Sequence, residues 1–453
     1  MVWLDSENMN RMYPIIAALA LLSASDDAAA ARIDRAQFPP SEHVYLYYFS
    51  TAAVTAQRQA NLAKTLNYVC ASLSRDSNLE SQLPVRVGPT LYRIDTRYLK
   101  WETTLAKALV AHYPYAKDQT SKGFAPLVTR ADWFCANIGD ETVTKESQYL
   151  LLYGKALANE AEFLRAWNVG REATDAFGFL EGGSGVKRQG AGLERVMETR
   201  PTGRGASFQT FDSRRVAGET DALEFPDKRP PKHDATEIIA PIIKVGKDAD
   251  GNAQAGALLA FFLANGNRAG VAGARQAAAP VDIVEDSLNL RGYDIRNYID
   301  CVSCHSQGLK LPTLDKYREA IVGGVLIKTY DKQEALNIDR YYQSAFLRDV
   351  KRGIEDYAVA VKMCNGLTPE ANAAMFWDTV VAYDADVTRE QAALELGTTP
   401  RELSLAIAYY IDKYKDRNIR PALLSEGQKI SRSQFEENAY KFQEMLRVWS
   451  LRN

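Results

Sequence analysis

The stretch Cys301-Val302-Ser303-Cys304-His305 decides how this chain is read. It has the C-x-x-C-H spacing of a c-type haem attachment sequence. The chemistry explains the spacing. Cys301 and Cys304 would each form a thioether bond with a porphyrin vinyl group, and His305 would offer a ring nitrogen to the iron as axial ligand. Two other readings use the same residue types. A Cys₂His₂ or Cys₄ zinc site needs a second ligand pair, but Cys70, Cys135 and Cys364 are single and His43, His112 and His233 stand far from them in sequence. A thioredoxin-like C-x-x-C follows a strand in a βαβ unit and does not need the histidine. Here the pair opens a polar stretch that contains Gly308. One covalent haem c is therefore the expected cofactor.

Downstream of the motif the pattern is helical. Leu311-Pro312-Thr313 precedes a helix through about Ile321. Thr368-Pro369-Glu370 sets an N-cap before proline at the first helical position. Thr388 with Gln391 forms a capping box, Gly397 ends that helix, and Thr399-Pro400 begins the next. Ser433 with Glu436 is expected to cap a last helix, with Phe435, Phe442, Leu446 and Trp449 on one face. The pair Thr388–Leu396 and Pro400–Tyr410 has the outline of a DNA-binding helix-turn-helix. Ser404 to Tyr410 carries no positive charge, however, and the formal net charge is −2, so no nucleic-acid partner is expected.

Upstream, His43 to Phe49 reads as a strand, Gln57 to Cys70 as a helix, and Tyr92 to Leu99 as a strand leading into a helix that Pro114 stops. Arg93, Asp95 and Arg97, and likewise Arg130-Ala131-Asp132, read as structural ion-pair networks. Residues 176–215 are rich in Gly and Arg and read as a long structured loop. They hold no G-x-G-x-x-G after a strand, no phosphate-binding loop and no G-x-S-x-G. Arg188, Arg195, Arg200, Arg204, Arg214 and Arg215 on this stretch either meet haem propionates, since guanidinium pairs well with carboxylate, or face solvent. Glu237 to Lys244 and residues 255–264 read as two strands of a hairpin turned at Asp248-Ala249-Asp250-Gly251. The same turn is not a calcium loop, because Ala253 and Leu259 occupy the glycine and bidentate-glutamate positions.

A chain of 453 residues exceeds one ordinary core, and 46% hydrophobic with 25% charged residues is the balance of a soluble globular protein. The fold class expected is α+β: mainly helical, with an irregular upstream body over residues 1–285 containing a small β-hairpin or sheet, and a C-terminal helical cytochrome c-like haem domain over 286–453. The seam falls near residues 280–290. Cys70, Cys135 and Cys364 are expected as small buried core residues. No apolar run is long enough to span a membrane. Pro14 to Ala24 is the nearest approach to a signal core, but Asp5 and Glu7 precede it, so Arg11 to Leu22 reads as an ordinary first helix.

Several stretches together resemble a family of large single-haem cytochrome c-domain proteins of planctomycete- and myxobacterium-like genomes. They are Arg93-Ile94-Asp95 with Trp101 and Tyr113-Pro114-Tyr115; Arg130 to Phe134; Gly185-Val186 with Gly205 and Phe211-Asp212; Glu237-Ile238-Ile239; Ala279-Pro280 to Asp286; Cys301 to His305; and Ala392 to Gly397. The chain departs from that pattern at Leu263-Ala264-Asn265-Gly266. The resemblance implies haem and export to the periplasm or another exported compartment, and leaves the upstream half without a role. The function expected is electron transfer by an exported monohaem c-type cytochrome to or from a redox partner protein, alone or within a membrane-associated or multi-subunit complex. A haem oxidoreductase with an open iron position, peroxidase-like or an oxygenase, is the alternative. A structural subunit of an exported assembly is a third. The sixth iron ligand separates the first two. Met363, just before the Asn365-Gly366 turn, is the expected sixth ligand, ahead of Met375, His112 and His233.

Overall fold

The structure is a computed structural model. It describes residues 27–101, 104–116, 122–123, 125–144, 147–155, 157–170, 175–180, 193–202, 205–214, 232–248, 250–268, 270–279, 295–309, 346–414 and 427–451. The expected helices over Arg11–Leu22 and Pro312–Ile321 and the linker Pro280–Asp286 lie outside the described residues. In chain order the strands used below are β1 (Leu46–Ser50), β2 (Val85–Arg86), β3 (Leu91–Asp95), β4 (Val128–Arg130), β5 (Asp175–Leu180), β6 (Leu193–Pro201), β7 (Ala206–Arg214), β8 (Ala235–Lys247) and β9 (Ala253–Asn265). The helices are α1 (Ala56–Ser72), α2 (Thr104–His112), α3 (Ala131–Asn137), α4 (Glu160–Ala166), α5 (Ile299–Cys304), α6 (Phe346–Asn365), α7 (Pro369–Asp384), α8 (Arg389–Glu395), α9 (Pro400–Tyr414) and α10 (Arg432–Ser450). The class is α+β, as the sequence implied.

Two compact units share this chain. One comprises residues 1–67, 83–138 and 375–453; the other comprises 68–82 and 139–374. The seam expected near residues 280–290 lies outside the described residues. The C-x-x-C-H motif belongs to the second unit, together with most of the strands, and the C-terminal helices belong to the first.

The first unit is built on the sheet β2-β3-β1-β4, with β1 antiparallel to β3 and parallel to β4. Phe49 of β1 meets Phe134 of α3 at a ring separation of 4.5 Å. In the same unit α10 buries Phe435, Ala439, Phe442 and Met445, the spacing of one helical face. Its cap is Ser431, whose side chain accepts from the Gln434 amide, and not Ser433. The Thr388, Thr368 and Thr399 caps are formed as the sequence indicated. Arg93 pairs with Asp34, while Arg97 takes Asp95 and Glu42.

A buried charge cluster closes this unit. Arg130 is paired with Asp132 and with Glu395. Arg432 grips the two Glu395 oxygens at 2.8 and 2.9 Å. Tyr115 donates to the same carboxylate at 3.2 Å, and Gln391 at 2.9 Å. Burial alone would raise the Glu395 carboxyl, but Arg130 and Arg432 outweigh it and hold it at about 2. Glu395→Gln should cost about 3–5 kcal/mol in a denaturant titration, because buried Arg432 loses its carboxylate and Arg130 keeps only Asp132. A folded value below the unfolded one stabilises at high pH. The contribution is complete above about 4.3 and is lost as pH falls from there toward 2. An unfolding midpoint with the same acid dependence in parent and variant would contradict this.

The second unit carries a five-stranded antiparallel meander, β5-β6-β7-β8-β9. Its β5, β6 and β7 correct the reading of residues 176–215 as a loop. Pro201 pairs in register with Ala206 at the end of the β6–β7 ladder, and residues 181–192, which carry Gly182-Gly183-Ser184-Gly185, lie outside the described residues. The hairpin β8–β9 is as expected: Asp248 bonds back to Asn252, and Gly251 adopts φ 83° at the turn. β9 is buried over nine successive residues from Gly256 to Ala264, the mark of a strand covered on both faces. Phe163 of α4 stacks on Phe262 at 4.9 Å on one face. The motif covers the other.

Candidate functional site

The motif helix α5 has six residues, too few to be stable alone, and buried side chains set its position. Arg296 donates through Nε and Nη2 to Asp300 at 3.0 and 2.8 Å, and through Nη1 to Asp140 at 3.2 Å. The Arg296 backbone amide adds a bond to Asp300 at 2.6 Å. Tyr298, in the left-handed region at φ 70°, aims its ring at Gly139 and shares a hydrogen bond with Ser72 at 2.6 Å. A Cβ built on Gly139 would lie 2.2 Å from the Tyr298 ring. These contacts join α5 to the 139–141 segment and to the end of α1 within one unit.

The helix ends at His305, whose amide bonds to the Cys301 carbonyl at 2.8 Å. The imidazole Nδ1 lies 3.0 Å from the Gly308 carbonyl. A carbonyl only accepts, so Nδ1 carries the proton, and in the neutral ring Nε2 keeps its lone pair. This is the tautomer that a metal-ligating histidine uses. Gly308 permits the turn at φ 88°, where an added Cβ would sit 3.0 Å from Tyr357. Nε2 faces Glu237 Oε1 at 3.5 Å, and the ring lies 5.5 Å from that of Phe261. Glu237 was not anticipated as a site residue. Its sequence signals were its place at the start of an apolar strand and in the Glu237-Ile238-Ile239 stretch of the resemblance.

Cys301 is buried and Cys304 is half-exposed. Burial first, and then the Glu237 and Cys304 charges, push the Cys301 thiol well up. It is a protonated thiol, unlike the acidified thiolate of a nucleophile or redox centre. Among the described residues no three His, Cys, Asp or Glu side chains are gathered to hold a metal ion.

The donor set fits a c-type haem. The thiols stand at i and i+3 on one turn and the imidazole follows, its Nδ1 already tethered. In that chemistry only the imidazole reaches the iron while the thiols bond the porphyrin edge, so the three groups need not converge on a point. Iron at Nε2 would take the position of the Glu237 contact.

No family model, curated protein or solved structure matches this chain.

The structure does not bring Met363 to His305. Its sulfur lies 3.5 Å from the Cβ position of Gly246. Gly246 pairs with Gln254 at one end of the β8–β9 ladder, and Glu237 pairs with Leu263 near the other. At about 3.3 Å per residue the two positions are roughly 30 Å apart along the strand. His233 packs edge-on against Phe211 at 4.9 Å. Strand alternation puts Phe211 on the face opposite Phe208, Ile239 and Phe261, so His233 is not beside His305 either. Met375 and His112 belong to the other unit. Arg200 pairs with Glu198; Arg188, Arg204 and Arg215, and the side chains of Arg195 and Arg214, lie outside the described residues. Cys70, Cys135 and Cys364 are buried thiols, none in a disulfide.

Gly139→Ala should displace Tyr298 and loosen α5, at a cost of about 1–3 kcal/mol for overpacking a tight contact. Urea unfolding of the two proteins measures it. A variant as stable as its parent would show that Tyr298 is not held as described.

Proposed function

We propose that this chain is a monohaem c-type protein, with haem c bound covalently through Cys301 and Cys304 and with His305 as axial ligand. The observation that carries the reading is the Nδ1 tether of His305 to Gly308 at the end of a C-x-x-C turn, which leaves Nε2, across from Glu237, as the nitrogen that would ligate. Haem supplies one-electron redox chemistry when bound. The chain's own residues attach it, orient the imidazole, and cover its surroundings with the apolar face of β7, β8 and β9. The role proposed is electron transfer to or from a partner protein in the periplasm or another exported compartment, where such attachment is made.

A second reading is a haem oxidoreductase with an open iron position. The distance of Met363 from His305 favours it, since the thioether expected as sixth ligand stands near Gly246 instead. An optical spectrum of the reduced protein, with and without carbon monoxide, separates the two. An unchanged spectrum under carbon monoxide goes with a filled sixth position and an electron carrier; a shifted one goes with an open site. In either case Met363→Ala should leave the spectrum of the parent unaltered. Loss of an iron–sulfur band near the red edge in that variant would restore Met363 as ligand.

A further inference from the structure

A cavity of about 340 Å³ opens on the same sheet face as His305. Ile239, which lines it, pairs in register with Phe261, whose ring meets His305. Leu309, four residues beyond the imidazole, also lines it, with Phe208 and Leu259. The cavity therefore lies beside the end of the attachment segment, which Leu309 brings to its wall, and its floor is apolar.

Its charged rim comes from α6. Arg348 and Arg352 are one turn apart and share a helical side. Each guanidinium Nε stands 3.7 or 3.8 Å from an aspartate of its own helix, Asp349 or Asp356. These separations exceed the roughly 2.7–2.9 Å of a charge-assisted hydrogen bond. The two aspartates line the rim as well, so a carboxylate entering the cavity would compete with them for the arginines. Next to Arg352, Gly353 brings the helix close, since a Cβ there would lie 2.5 Å from Leu309.

We propose that this cavity receives the propionate-bearing edge of the haem, with Arg348 and Arg352 hydrogen-bonded to the two propionates. The inference rests on the haem reading above. An apolar ring edge ending in two carboxylates matches an apolar floor bounded by two guanidinium forks. A free fatty acid offers the same chemistry, an apolar body with a carboxylate, and the test separates the two sources.

The experiment uses the full chain matured with haem, in three forms: the parent, Arg348→Gln/Arg352→Gln, and Arg348→Lys/Arg352→Lys. The midpoint potential is followed from acid to neutral pH at high salt, with covalent haem stain as the control. In the parent the arginines hold the propionates ionised, and the potential stays flat across the range. In the double glutamine variant the propionates titrate within it, so the potential acquires a pH-dependent step and falls at neutral pH. The lysine variant should show little or no step. Full stain with superimposable parent and glutamine curves would overturn the propionate assignment alone. Absence of stain in the parent would overturn the haem reading and the assignment together. Binding of a fluorescent fatty acid to the haem-bearing parent, lost in the glutamine variant, would show the cavity open to another carboxylate and would also overturn the assignment.

Discussion

Arg296 is the residue on which the site depends. A six-residue helix has almost no stability of its own, yet the two thiols and the imidazole have to be presented in fixed order at its end. Arg296 fixes the start of the helix by spending its guanidinium on Asp300, inside the helix, and on Asp140, outside it. All three side chains are almost wholly buried, in a region where a lone charge would be costly and a paired one is rigid. Tyr298 completes the anchor through Ser72 and the space that Gly139 leaves open.

The meander supplies what the anchor cannot, a broad apolar floor. One face takes α4 through the Phe163–Phe262 stack. The other meets His305, through Phe261 and Glu237. α6 lies against β9, with its backbone so near Gly256 that a Cβ there would sit 2.3 Å from the Asp356 carbonyl. Lys244 ties the sheet to the end of α1 by donating to the Ser74 and Asp76 carbonyls and to Gln82. Burial pulls that lysine down to about 7, and three good acceptors hold its ammonium in place.

Much of the local structure was legible in the sequence, because its signals are local. Thr388, Thr368 and Thr399 cap the helices they precede, and Asp248 to Gly251 turn the hairpin. Ser433 misled because Ser431, two residues earlier, has the extended backbone a cap requires. Strand β7 was hidden because Ser207 to Asp212 are all buried and a strand covered on both faces lacks the polar–apolar alternation of a half-exposed one; glycine and arginine in the stretch suggested a loop. The division of the chain into interleaved units depends on contacts between distant segments, which no local pattern reports. The same holds for Met363: its spacing from His305 was plausible, but α6 carries it to the far end of β8. At the site itself the motif marked Cys301, Cys304 and His305 as candidate donors, while the Gly308 tether, the Glu237 contact and the Arg296 anchor became visible only in three dimensions.

The central claim is a covalent bond between Cys301, Cys304 and haem, and the mass of the denatured chain tests it most directly. Produced in cells that mature c-type cytochromes, the chain should be heavier than its sequence by one haem, with Cys301 and Cys304 closed to alkylation while Cys70, Cys135 and Cys364 react. A chain at its sequence mass, with all five cysteines alkylated, would contradict the account.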